Sequence, residues 1–109
     1  MKGDRLGEFE ELTLLAVCAL KGTAYGVPVL QFIEQTTGRN VTIGAVYAAL
    51  ARLDDKGYVR SVIAEARQIR GGKRKRLFEP TPEGRKAIAD LRRVRDRIWH
   101  TIESKGPLG

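Results

Sequence analysis

The sequence predicts a mainly α-helical fold with one small β-hairpin, and three observations carry that expectation. Most of the chain places apolar residues three and four apart, the helical period. The stretch 58–80 instead gathers β-branched residues around a double glycine. The last helical stretch, 81–103, is longer and far more charged than the others. With 109 residues the chain forms one domain, able to bury roughly 65% of its unfolded surface.

Residues 1–7 are polar and read as a frayed end or an arm. From Glu8 to Leu20 the apolar residues Phe9, Leu12 and Leu14 through Leu20 crowd together, so this helix is expected at the centre of the core, buried on more than one side. Lys21-Gly22-Thr23 ends it with a capping glycine and offers Thr23 as N-cap of the next helix. That helix opens at Tyr25-Gly26-Val27-Pro28, where proline is tolerated because the first turn has no intrahelical N–H bond to lose. Val29, Leu30 and Ile33 supply its buried face, and Thr37-Gly38-Arg39-Asn40 closes it.

The third helix has both ends specified, by Thr42 as N-cap and Gly57 just beyond its C-terminus. Ile43, Val46, Leu50 and Leu53 form its expected buried face. The opposite face is unusual: Gly44, Ala45, Ala48 and Ala51 give it almost no side-chain volume, with Tyr47 on one flank and Arg52 farther along. A helix that only met water would normally carry Glu, Lys or Gln there, although alanines chosen for propensity alone would look the same. A slim leading end suits a helix that lies deep in a groove. The turn joining it to the second helix is only a few residues long and contains glycine, which is the helix-turn-helix arrangement with the second member of the pair presented outward.

After Gly57, residues 58–64 and Arg76-Leu77-Phe78-Glu79-Pro80 read as two strands joined through Gly71-Gly72. A hairpin directly after such a helix is a wing. Six of the 20 basic residues, Arg67, Arg70, Lys73, Arg74, Lys75 and Arg76, fall within ten positions here with no acid among them. A solvated loop tip would explain a charge run, but repulsion among so many like charges is relieved when a polyanion lies against them. The formal net charge of +7 points the same way.

Thr81-Pro82-Glu83 starts the last helix firmly, with an N-cap, a proline at the first helical position and an acid at the positive end. Its apolar positions Ala87, Leu91, Val94 and Ile98 alternate by three and four, joined by Trp99 and Ile102, and its other faces are charged. Such a seam matches a partner helix, so a homodimer through this helix is expected, with packing onto the first helix as the alternative. The expected organisation is thus a winged helix-turn-helix over 1–80, a dimerisation helix over 81–103 and a tail over 104–109.

The function classes narrow accordingly. The single cysteine, Cys18, forms no internal disulfide and reads as a small buried hydrophobe. The only histidine, His100, stands on a charged helix, and the sequence has no paired acids, metal-ligand spacing or phosphate-binding glycine loop, so neither an enzyme nor a cofactor is expected. No long apolar run or signal peptide appears, which places the chain in the cytoplasm. For double-stranded DNA, Arg70, Lys73, Arg74, Lys75 and Arg76 would neutralise phosphates. Thr42, Ala45, Ala48 and Arg52 would meet base edges, with only Thr42 and Arg52 able to hydrogen-bond. Direct readout is therefore thin, and shape and half-site spacing would carry much of the specificity. Trp99 either packs in the dimer interface or lines a pocket for a flat aromatic effector.

In order and spacing the chain resembles the PadR family of transcriptional regulators. The residues that carry the likeness are Gly22-Thr23-Ala24-Tyr25-Gly26, the run from Gly44 to Leu53, Lys56-Gly57-Tyr58-Val59, the basic stretch ending in Lys73-Arg74-Lys75-Arg76-Leu77-Phe78, and Thr81-Pro82-Glu83-Gly84-Arg85. The resemblance implies a dimeric repressor acting on its own or a neighbouring promoter, released in some members by a small molecule or stress signal. It implies that Tyr47 and the residues from Thr42 to Ala45 face DNA and that the last helix carries the dimer contact. Phe78 stands where the family often has tyrosine, and a single C-terminal helix corresponds to the family's short branch, without a large separate effector domain. Two other functions fit parts of the sequence: an architectural DNA-binding protein without sequence preference, and a winged helix used for protein contacts.

Overall fold

The computed structural model describes residues 5–63 and 75–105, in the order α1 (Glu8–Ala19), α2 (Gly26–Thr37), α3 (Ile43–Asp55), β1 (Val59–Ile63), β2 (Arg76–Pro80) and α4 (Pro82–Ser104). The mainly helical architecture with one antiparallel hairpin matches the sequence expectation. The Gly71-Gly72 turn, the basic residues Arg67, Arg70, Lys73 and Arg74, and the tail from 106 onward lie outside the described residues.

One core holds the three N-terminal helices and the hairpin together. Leu14, Ala16 and Val17 of α1, Val29 and Ile33 of α2, Val46, Leu50 and Leu53 of α3, Val59 of β1 and Phe78 of β2 are all buried in it. The strands pair with Ser61 opposite Phe78 and Val59 opposite Pro80, so that Val59 and Phe78 face the helices. Phe78 also donates its backbone N–H to Ala24 O at 3.0 Å, tying the hairpin to the segment between α1 and α2.

The turns work through identifiable residues. Gly22, Gly38 and Gly57 adopt positive φ of 82°, 75° and 78°, a region that side chains disfavour, and end the first three helices. Thr81 fastens α4 twice: its Oγ1 accepts from Gly84 N at 3.0 Å and donates to Gly57 O at 2.6 Å. Gly84 is packed so tightly on Tyr58 that a Cβ there would fall onto the Tyr58 carbonyl.

Two expectations are corrected. Thr23 is not the N-cap of α2; Tyr25 is, without a side-chain cap bond, while Thr23 Oγ1 donates back to Leu20 O at 3.1 Å. Its backbone is used in two successive turns, Thr23 N to Leu20 O and Tyr25 N to Thr23 O, which carry the chain two residues further before the helix begins. Ile43 is 39% exposed rather than part of the buried face, because the first turn of α3 projects past the rim of the core. Ala49 is fully buried beside Val46, Leu50 and Leu53 instead. On α1, Thr13, Leu14, Ala16 and Val17 are buried while Leu15 and Ala19 are exposed; Cys18 is half-buried, and burial pushes its thiol pKa up, against a smaller effect from Arg85.

Candidate nucleic-acid interface

α3 is a helix fixed at its start by side-chain chemistry and along its length by packing. Thr42 Oγ1 accepts from Ala45 N at 3.1 Å, as its N-cap role requires. Sinking Val46, Ala49, Leu50 and Leu53 into the core turns Gly44, Ala45, Ala48 and Ala51 outward. The exposed strip therefore has almost no side-chain bulk, and a groove wall can approach its backbone closely.

Tyr47 borders this strip and is half-exposed. Its hydroxyl and ring lie directly against Gly26 at the first position of α2, where a Cβ would collide with them. The ring is thus packed on the second helix while one edge stays open to solvent. Beside it, the Lys75 ammonium stands 5.9 Å from the centre of the Tyr25 ring. A cleft of about 390 Å³ runs between α3 and β2, bordered by Tyr47, Ala51, Asp55 and Arg76. The helix and the base of the wing therefore form one continuous surface. Arg76 lines the cleft and is exposed, Lys75 next to it in sequence is exposed as well, and Arg70, Lys73 and Arg74 fall outside the described residues.

Arg52, the remaining residue expected on this surface, is 51% exposed in its side chain, and its Nε donates to Glu10 Oε2 at 2.7 Å. Glu10 is almost buried on α1 and also accepts from Lys56 Nζ at 2.5 Å and from Gly7 N at 3.1 Å. Burial alone would raise the pKa of this carboxyl, but the hydrogen bonds from Lys56, Gly7 and Arg52 outweigh it and hold the group below its usual range. Sequence reading missed this cluster. Glu10 was visible as an acid in the first turn of a helix, but its partners lie 42 and 46 residues away.

The α4 residues divide in two. Ala87, Leu91 and Ile102 are half-covered, whereas Val94, Ile98 and Trp99 are 47%, 56% and 59% exposed. Arg95 reaches Glu11 of α1 at 2.7 Å, which fixes the middle of α4 against the first helix and leaves the apolar seam uncovered. Among the described residues no group of three or more His, Cys, Asp or Glu could hold a metal ion, and no helix is long and apolar enough to cross a membrane.

Three helices with the third presented outward, followed by a hairpin whose base lies beside that helix, define the winged helix-turn-helix class. Residues 14–90 match the transcriptional regulator PadR-like family, and the chain belongs to that family. The chain is 37% identical over 76 residues to an uncharacterised 37.1 kDa protein in transposon TN4556 of Streptomyces fradiae, covering 69% of this chain but only 20% of that protein's length. Among solved structures, a PadR-like transcription factor from Bacteroides fragilis superimposes with a TM-score of 0.72 at 18% identity, over 90% of this chain and 89% of that one. A PadR family transcription regulator from Clostridium difficile gives 0.69 at 18% identity, over 90% and 97%. Bacillus subtilis PadR in complex with operator DNA gives 0.62 at 18% identity, over 77% and 46%. At these identities the likeness to the solved structures is one of fold.

Proposed function

We propose that the chain is a sequence-specific, double-stranded-DNA-binding regulator that acts as a homodimer and represses its own or a neighbouring promoter. The observation that carries this reading is the slim, exposed strip of Gly44, Ala45, Ala48 and Ala51 on α3, which at Ala51 shares a cleft with Arg76 at the base of the wing. A strip without bulk lets the N-terminal half of α3 lie deep in a major groove. Lys75 and Arg76, with Arg70, Lys73 and Arg74 just before them in the sequence, supply phosphate contacts. The operator-DNA complex of the Bacillus subtilis relative, built on the same fold, supports this assignment. Tyr47 donates its hydroxyl to a phosphate while its ring stays packed on Gly26.

The uncovered seam of Val94, Ile98 and Trp99 supports dimerisation through α4, with Ala87, Leu91 and Ile102 continuing the contact. A flat aromatic effector bound beside Trp99 would relieve repression. The protein works in the cytoplasm, where its DNA lies.

The test is fluorescence anisotropy against the duplex immediately upstream of the gene and against a shuffled duplex, at several salt concentrations. Tighter binding upstream that persists near physiological salt supports a selective regulator. Equal binding to both duplexes favours an architectural protein, and no binding at low salt favours a winged helix that serves a protein partner.

A further inference from the structure

The carboxylate of Glu10 is held before it holds anything else. Its Oε1 accepts from two donors, Lys56 Nζ at 2.5 Å and Gly7 N at 3.1 Å, and Lys56 is itself anchored to the Arg5 carbonyl. Both donors come from parts of the chain that cannot swing freely: the turn starting α1 and the capping residue of α3. The second oxygen, Oε2, is then presented at a fixed place, and Arg52 Nε occupies it at 2.7 Å. Because Glu10 is only 7% exposed, water competes poorly for that oxygen.

Arg52 stands one turn beyond Ala48 and flanks the slim strip of α3. Its Nε is used by Glu10, while its two terminal amino groups make no hydrogen bond among the described residues. What remains of the guanidinium is its end-on fork. That fork matches the O6 and N7 acceptors of a guanine in the major groove. An unrestrained arginine beside a phosphate backbone would instead satisfy any nearby phosphate and carry no sequence information.

Resting on the reading of the chain as a sequence-specific DNA-binding protein, we propose that Glu10 is a positioning residue for base recognition, aiming the free fork of Arg52 at one guanine of each half-site. Glu10 never touches DNA. It acts by restricting where Arg52 points, so one hydrogen-bonding side chain on an otherwise bare helix face delivers a defined base preference.

The experiment measures the affinity of wild type, Glu10→Gln, Arg52→Gln and the double variant for the preferred duplex and for a panel in which each base pair is substituted in turn. Val17→Ala, a change at a fully buried core residue of α1, serves as the destabilised control. A glutamine at position 10 keeps one acceptor oxygen, claimed by Lys56 and Gly7, and its NH2 cannot accept from Arg52 Nε, so Glu10→Gln releases Arg52 while leaving the side chain's size nearly unchanged. The expected result is that Glu10→Gln and Arg52→Gln lose preference at the same G·C pair, each by about tenfold, that the double variant loses no more, and that Val17→Ala keeps the preference. A Glu10→Gln protein that keeps the preference, or that loses affinity for every duplex alike, overturns the role of Glu10 while the selective wild type still supports the DNA-binding reading. A wild type that prefers no duplex overturns both.

Discussion

Gly26 and Tyr47 share one space: the hydroxyl and ring of Tyr47 on α3 occupy the position where any side chain on residue 26 of α2 would begin. The crossing of the two helices is set there by the absence of a Cβ. Gly26→Ala is expected to destabilise the fold by about 1–2 kcal/mol, since overpacking forces the rigid ring aside. Adding Tyr47→Ala should recover most of that loss in urea denaturation. A double variant as unstable as the sum of the two singles would mean that the contact does not set the crossing.

Gly84 makes the complementary contact at the start of α4, where a Cβ would meet the backbone carbonyl of Tyr58 rather than a side chain that can yield. Gly84→Ala should therefore cost more, about 3 kcal/mol, read as a lower urea midpoint with an unchanged slope.

Glu10 gives stability a definite dependence on pH. Its pKa is held below the ordinary value of 4.5, so its contribution is fully present above that value and is lost as pH falls through the lower, folded-state value. At neutral pH, Glu10→Gln should be less stable by about 2 kcal/mol, less than a fully buried pair because the Arg52 side chain is half-exposed. The gap between the two proteins should narrow below pH 4.5, as followed by denaturant titration at a series of pH values. A gap that stayed constant to pH 3 would show that the ionised form is not what Arg52 and Lys56 stabilise.

Replacing Lys73, Arg74 and Lys75 by alanine should weaken binding to every duplex and flatten the dependence of log affinity on log salt by about 0.9 for each phosphate that the wing no longer neutralises. An unchanged slope would remove the wing from the DNA backbone.

The seam on α4 predicts a coupled loss. Val94→Asp with Ile98→Asp places charge where the protomer leaves apolar surface bare, so the helix should persist while sedimentation equilibrium reports a monomer. The fluorescence of Trp99, the only tryptophan, should shift to the red as the ring becomes fully hydrated. A variant that stays dimeric would place the contact elsewhere.

Much of the fold was legible because its punctuation is local. Thr42, Thr81 and Pro82 start helices and Gly22, Gly38 and Gly57 stop them by chemistry confined to a few residues, and the hairpin announces itself by a change of period. Thr23 misled because a cap residue is recognisable only if the turn before it leaves the chain pointing the right way. Ile43 misled because periodicity marks a face of a helix but not how far the core extends along it. The slim face of α3 was readable from its residues alone. The clamp on Arg52 was not, since no local pattern joins Glu10 to a helix 42 residues away.

The bare face of α3 also bears on how such a protein can change. Val46, Ala49, Leu50 and Leu53 carry the folding task on one side of the helix, and Gly44, Ala45, Ala48 and Ala51 on the other contribute little to it. New side chains can be tried at those four positions without disturbing the core, each adding a contact to a surface that starts nearly blank. On the proposed reading of α3 as the DNA-facing helix, a duplicate gene could acquire a different preference through one or two substitutions there while keeping its stability.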